Sequence, residues 1–121
     1  MSNCKTLDVW KISMQLVKEV YILTKKFPKD ELFGLTSQTK RAAVSVPANI
    51  AEGIGRQYKK DTIQFLYISR GSVYELETYL NIAMMVEIIT EEDFNRIMPA
   101  VEKALQVLNG FINYMEKAAL K

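Results

Sequence analysis

The sequence contains no histidine, a single cysteine, five glycines and three prolines in 121 residues. Without histidine the chain lacks the commonest general base, the commonest metal ligand and every histidine-activated nucleophile. Cys4 alone cannot form an internal disulfide, which indicates a reducing, cytoplasmic setting. The start of the chain lacks the apolar segment of a secretory signal, and no apolar run reaches the length of a membrane span. We therefore expect a non-enzymatic protein with no cofactor, no bound metal and no membrane partner.

Hydrophobic periodicity predicts four helices and no strand, with approximate bounds 6–27, 31–54, 59–88 and 91–119. Pro28 ends the first helix, Gly53 and Gly55 suit the C-terminal cap of the second, and Thr90 is an N-cap for the fourth. Short connections make successive helices antiparallel. We predict that residues 1–121 form one all-α domain, an antiparallel up-down-up-down four-helix bundle.

Two of the helices carry more apolar surface than one core needs. In the first helix the expected core stripe is Leu7, Trp10, Met14, Val17, Tyr21 and Thr24. A second stripe follows Ile12, Leu16, Val20, Leu23 and Phe27. The third helix has a core stripe of Leu66, Ser69, Val73, Leu76, Leu80 and Ala83, and a second one of Phe65, Ile68, Ser72, Tyr79, Ile82 and Val86. Large exposed apolar patches usually mark interfaces, so we predict a homo-oligomer.

The second helix contains Pro47 in its middle. Apolar positions keep a helical spacing across this residue, which favours one continuous helix with a kink. The alternative is a new helix that begins at Pro47, because proline is favoured in a first turn.

A line of polar residues runs along the same helix. If the second and third helices turn near Arg56, facing residue numbers add to about 113, so that Arg41 faces Ser72 and lies within reach of Glu75. Gly71 would let the two backbones approach closely. We interpret this line as a polar network that fixes the register of the helices, or as a partly wet subunit seam, in preference to a ligand site. Its predicted members are Gln38, Arg41, Ser45, Asn49, Ser72 and Glu75.

The antiparallel arrangement sorts charges onto two ends of the bundle. The basic pole has seven cations and four carboxylates, net +3: Lys5, Lys11, Arg56, Lys59, Lys60, Lys117 and Lys121 against Asp8, Glu52, Asp61 and Glu116. The acidic pole has four cations and six carboxylates, net −2: Lys25, Lys26, Lys29 and Arg96 against Asp30, Glu31, Glu87, Glu91, Glu92 and Asp93.

Cations can bind phosphates, and an aromatic ring beside them can stack on a base. The candidate nucleic-acid-binding residues at the basic pole are Arg56, Tyr58, Lys59, Lys60, Lys11 and Lys117. A solvated loop whose charges offset Glu52 and the helix dipole would explain the first four equally well. A second group of Tyr67, Arg70 and Tyr74 is favoured as a seam between helices or subunits.

The segments "LDVWKISMQLVKEVY", "QTKRAAVSVPANIAEGIGR" and "GSVYELETYL" resemble a family of bacterial four-helix-bundle proteins. These proteins are encoded in intervening sequences of 23S rRNA genes and are described as ribosomal-protein-like. The match is most specific at Ser45, Pro47, Asn49, Ala51, Glu52 and Gly53. The resemblance implies a homopentamer and kinship with the accessory proteins of diversity-generating retroelements, which bind nucleic acid and a reverse transcriptase. Arg56, Lys59 and Lys60 match a basic loop.

Together these features predict an oligomeric bundle that binds RNA or another nucleic acid through its basic pole. A nucleic-acid-processing protein is a further possible partner. The alternative is a structural scaffold or adaptor that binds a protein partner and no nucleic acid.

Overall fold

The computed structural model describes residues 7–120, and these contain helices and turns but no strand. The four α-helices are α1 (Asp8–Thr24), α2 (Ser37–Ile54), α3 (Lys59–Met85) and α4 (Glu91–Ala119). Successive helices pack on each other, and α1 also packs on α4, so the four helices enclose one core. This arrangement confirms the predicted all-α, antiparallel four-helix bundle. Cys4, Lys5 and Lys121 lie outside the described residues.

The first connection differs from the prediction at both of its ends. The helix α1 ends at Thr24 instead of residue 27, because the amides of Lys25, Lys26 and Phe27 bond to carbonyls three residues back. A 3-10 turn (Lys29–Glu31) and a π-helical turn (Leu32–Thr36) then precede α2. Gly34 is non-helical, with φ −114° and ψ −111°, and this break delays the start of α2 to Ser37.

The third connection, between α3 and α4, also begins earlier than predicted. The helix α3 ends at Met85 instead of residue 88, and Glu87 then adopts a left-handed φ of 65°. The start of α4 agrees with the prediction because Thr90 and Asp93 form a capping box.

The two apolar stripes of α1 have exchanged roles relative to the prediction. The stripe that we predicted as surplus is the core stripe, since Leu16, Val20, Leu23 and Phe27 are all buried. The stripe expected in the core is half-exposed at Trp10 and Val17 and exposed at Met14 and Tyr21. Both stripes are apolar, so periodicity alone could not rank them. On α3 the predicted core stripe is buried throughout, as expected.

Pro47 lies inside α2 and does not interrupt it. The missing N–H removes one helical hydrogen bond, but the ring is buried beside Val46 and Ile50. The Ser69 hydroxyl donates a hydrogen bond of 2.8 Å to the Val46 carbonyl and so ties α3 to α2 next to the proline. The helix is therefore continuous at Pro47 and does not restart there.

A glycine permits a close approach of α2 and α3, but it is not the glycine that we predicted. A Cβ on Gly53 would lie 2.9 Å from the Phe65 Cβ and 3.1 Å from the Thr62 carbonyl oxygen. The Thr62 hydroxyl donates a hydrogen bond of 2.7 Å to the Gly53 carbonyl across this contact. Gly71 instead faces open space. Gly55 does cap α2, although with a right-handed φ of −76° that other residues also adopt.

Candidate nucleic-acid interface

The basic pole contains the connection from α2 to α3. Tyr58 occupies the N-cap position of α3 in an extended conformation, and its carbonyl accepts hydrogen bonds from the amides of Asp61 and Thr62. The Tyr58 side chain is 62% exposed. Lys59 and Lys60, the first two residues of α3, are exposed as well. The predicted cluster therefore projects into solvent at the start of a long helix.

Arg56 is the residue of this cluster whose side chain contacts other residues of the chain. Its guanidinium lies 3.3 Å from the Glu52 carboxylate, one turn earlier on α2, and its carbon lies 4.6 Å from the centre of the Phe65 ring. These two contacts fit the structural interpretation of Arg56, in which its charge offsets Glu52. The exposed lysines of the basic pole are therefore stronger candidates than Arg56 for binding an external ligand.

Lys59 and Lys117 line the same cleft, which has a volume of about 370 Å³. The start of α3 contributes Lys59 and the last turn of α4 contributes Lys117. Tyr114 and Ala118 complete the lining. Tyr114 is 66% exposed, and its ring stacks on that of Phe111 with centroids 6.4 Å apart and planes 10° apart. Two cations and an exposed aromatic face thus share one concave surface.

Tyr114 was missed in the sequence, although a signal for it was present. It lies one helical turn before Lys117, so the two side chains share a face of α4. The prediction included Lys117 of α4 among the candidates at the basic pole but not the aromatic side chain one turn before it.

A second cleft of about 280 Å³ adjoins the first and shares Lys59 with it. Its floor is apolar, with Leu7, Ile54, Phe111 and Met115, and its polar rim also includes Arg56 and Gln57. Lys11 and Lys60 are exposed but line neither cleft. The six predicted residues therefore separate into Lys59 and Lys117 in one cleft, Arg56 and Lys59 in the next, and three side chains outside both.

Tyr67 and Arg70 belong to the seam between α3 and α4. The Tyr67 hydroxyl donates a hydrogen bond to the Glu116 carboxylate, which raises the pKa of Tyr67 above its ordinary value. Arg70 donates to the Asn109 side-chain oxygen at 3.1 Å and lies over the Tyr67 ring. Tyr74 remains exposed. These contacts support the interpretation of Tyr67 and Arg70 as seam residues.

The predicted polar network forms only in part. The Asn49 amide donates to the Ser45 carbonyl and hydroxyl oxygens at 2.8 Å each, and the Ser72 hydroxyl donates to the Ser45 hydroxyl at 2.9 Å. Arg41 and Glu75 are exposed and form no ion pair with each other. The contact between Arg41 and Glu75 that the predicted register placed within reach is therefore not formed as an ion pair in the single chain.

The predicted register between α2 and α3 explains this error. Facing residues follow the Ser45–Ser72, Val46–Ser69 and Gly53–Thr62 pairs, whose numbers add to 115 or 117 instead of 113. The displacement places Ser45, instead of Arg41, opposite Ser72. Gln38, Arg41 and Glu75 then line an open polar cleft of about 290 Å³ together with Ala42, Ser45 and Tyr79.

A polar cluster at the acidic pole joins the first helix to the last. The Asp93 carboxylate is buried and lies 2.6 Å from the Lys26 ammonium, with Arg96 at 3.4 Å. The hydrogen bond from Lys26, followed by that from the Thr90 amide, lowers the pKa of Asp93 to about 2. Arg96 also pairs with Glu92 at 2.7 Å. The prediction counted these charges without pairing them, and the Lys26–Asp93 contact joins residues 67 positions apart in the chain.

Residues 7–120 contain neither a metal-binding cluster nor a membrane-spanning helix. No group of three or more His, Cys, Asp or Glu side chains is placed to hold a metal ion. None of the four helices is both long enough and apolar enough to cross a membrane.

The molecule is thus an all-α protein of the antiparallel four-helix-bundle class, with a lysine-lined cleft at one end. The sequence profile of the 23S rRNA-intervening sequence proteins matches residues 5–110. The chain belongs to this family, as the resemblance indicated.

The chain is also similar to a crystal structure from Bacteroides thetaiotaomicron VPI-5482, that of a protein of unknown function from the S23 ribosomal protein family. The two are 26% identical over 86% of this chain and 97% of that chain, with a TM-score of 0.79. No curated protein matches significantly. The pentamer and the kinship with retroelement accessory proteins stay predictions.

Proposed function

We propose that this protein is a non-enzymatic, oligomeric bundle that binds RNA or another nucleic acid through its basic pole. The observation that carries the proposal is the cleft shared by Lys59, Tyr114 and Lys117. A single-stranded nucleic acid offers phosphates and base faces at regular intervals along its backbone. Lysines neutralise the phosphates, and an exposed aromatic ring stacks a base without regard to sequence.

Oligomer formation would strengthen this weak electrostatic surface. Within the single chain, Met14, Tyr21 and Ile22 of α1 and Ile68 of α3 are each more than 40% exposed. Burial of such side chains between copies would stabilise an assembly. A closed ring of like-oriented copies, such as the pentamer that the resemblance implies, would bring several basic poles to one face.

The salt dependence of affinity tests the nucleic-acid proposal. We expect binding of a fluorescently labelled single-stranded RNA to fall linearly on a plot of log affinity against log salt, as counterion release requires. Lys59→Ala combined with Lys117→Ala should flatten that slope, and Tyr114→Ala should weaken binding without flattening it. Lys103→Ala is the matched control, because Lys103 is exposed on the middle of α4 and lies about 20 Å from Lys117 along the helix.

Two outcomes would contradict the nucleic-acid proposal. Absence of RNA and DNA binding at low salt would favour the alternative, a scaffold or adaptor that binds a protein partner. Equal losses of RNA affinity from Lys59→Ala and Lys103→Ala would contradict binding at the cleft. Such a result would indicate general electrostatic attraction to the whole protein.

A further inference from the structure

The acidic pole displays apolar side chains that the core does not use. Leu32 and Phe33, in the π-helical turn before α2, are 51% and 93% exposed, and Met85, the last residue of α3, is 73% exposed. We call these three residues the apolar tip. The α2–α3 pairing, in which facing numbers add to 115 or 117, places the end of α3 beside the start of α2. The apolar tip therefore lies at one end of one helix pair.

Three carboxylates belong to the same pole as the apolar tip. Asp30 precedes it in the chain, Glu87 follows Met85 by two residues, and Glu91 begins α4. All three side chains are exposed, and none forms an ion pair with another described residue. The cations Lys26 and Arg96 of the same pole are already paired with Asp93 and Glu92. Lys25 and Lys29 are exposed cations of this pole without an ion pair, but Asp30, Glu31, Glu87 and Glu91 outnumber them, so the charge of the pole that is not taken up in ion pairs is −2.

Glu87 is held in a backbone conformation that ordinarily favours glycine. Its φ of 65° lies in the left-handed region, and the amides of Ile88 and Ile89 both bond to the Ala83 carbonyl around it. Glycine at this position would remove the steric cost of the Cβ. The chain keeps an exposed carboxylate beside Met85 despite that cost, and strain of this kind is concentrated at binding sites.

We propose that the apolar tip and its carboxylates form a docking surface for a basic amphipathic helix of a protein partner. Apolar side chains of such a helix would cover Phe33, Leu32 and Met85, and its lysines or arginines would pair with Asp30, Glu87 and Glu91. A nucleic acid or an anionic membrane would be repelled by the same carboxylates. The proposal is independent of nucleic-acid binding, because it concerns the opposite end of the bundle.

The test uses the whole protein and a labelled 18-residue peptide of leucine and lysine patterned as an amphipathic helix. A matched peptide with glutamate in place of each lysine is the charge control. Fluorescence anisotropy should show that the lysine peptide binds and the glutamate peptide does not. Phe33→Ser should weaken binding about tenfold or more, the loss typical of a central apolar anchor. Tyr74→Ser, which removes an exposed aromatic ring from the middle of α3, is the matched control and should leave peptide binding unchanged.

A second variant distinguishes the role of the Glu87 carboxylate in peptide binding from its effect on stability. Glu87→Gly should raise the melting temperature, because it relieves the left-handed strain, and should still weaken peptide binding and reduce its salt dependence. The proposal is overturned if the lysine peptide fails to bind at low salt, or if Phe33→Ser binds it as tightly as the unchanged protein. It is also overturned if Phe33→Ser reduces the size of the oligomer in light scattering, since a second copy would then be the occupant of the surface.

Discussion

Lys26 and Asp93 connect the end of α1 to the first turn of α4 through a contact of 2.6 Å between residues 67 positions apart. The carboxylate also completes the capping box of α4 with Thr90. One side chain thus terminates the last helix and holds the first helix against it.

This contact predicts a defined acid sensitivity. The pKa of Asp93 falls from an ordinary 3.8 to about 2 on folding. The carboxylate therefore contributes stability that is complete above about pH 4 and is lost as the pH falls toward 2. Asp93→Asn should remove that contribution, so its free energy of unfolding should change less steeply than that of the unchanged protein over this range.

Urea denaturation followed by circular dichroism between pH 2 and 6 measures the difference. Glu102→Gln is the matched control, because Glu102 is exposed on the same helix and forms no ion pair within residues 7–120. A constant difference between the unchanged protein and Asp93→Asn across the whole range would contradict the prediction.

The contact at Gly53 predicts opposite effects of alanine at two helical glycines. Gly53→Ala should destabilise the fold by about 1–3 kcal/mol, because the new Cβ would overlap the Phe65 side chain and the Thr62 backbone. Gly110→Ala should stabilise by about 0.5–1 kcal/mol, because Gly110 is exposed within α4 and has open space around it. Chemical denaturation measures the free energy of unfolding of both variants. Equal shifts in the same direction would contradict the close approach at Gly53.

The corrected register predicts which polar group on α2 and α3 matters for folding. Ser69→Ala should cost about 1 kcal/mol, because it removes a buried hydrogen bond to the Val46 carbonyl. Arg41→Met should change the unfolding free energy of the monomer by less than about 0.5 kcal/mol, because Arg41 is exposed and unpaired within the described chain. A larger loss of unfolding free energy for Arg41→Met than for Ser69→Ala would show that Arg41 makes a stabilising contact, as the originally predicted register implied.

Local patterns were sufficient for the fold and insufficient for the contacts between helices. The core stripe of α3 and the Thr90 cap follow from spacing and from the chemistry of helix ends, both of which act within one or two turns. The side of α1 that faces inward could not be found in this way, because Leu16 and Val17 belong to two stripes that are both apolar.

Contacts between helices depend on displacements that no single segment encodes. An error of a few positions in the α2–α3 register placed Arg41 opposite Ser72, where the structure has Ser45. The same limit applies to the candidate site, where the loop residues were identified from composition. The predicted antiparallel bundle placed Lys59 and Lys117 at the same pole, but the cleft that they share with Tyr114 depends on how α3 packs on α4.

The cleft of Lys59, Tyr114 and Lys117 exists only when α3 and α4 are packed together. A ligand held there would bind the folded chain and not the unfolded one, so its binding energy would add to the free energy of folding. At a ligand concentration one hundred times the dissociation constant, this added stability is about 2.7 kcal/mol. The melting temperature can therefore report occupancy of the cleft in any collection of unlabelled polyanions.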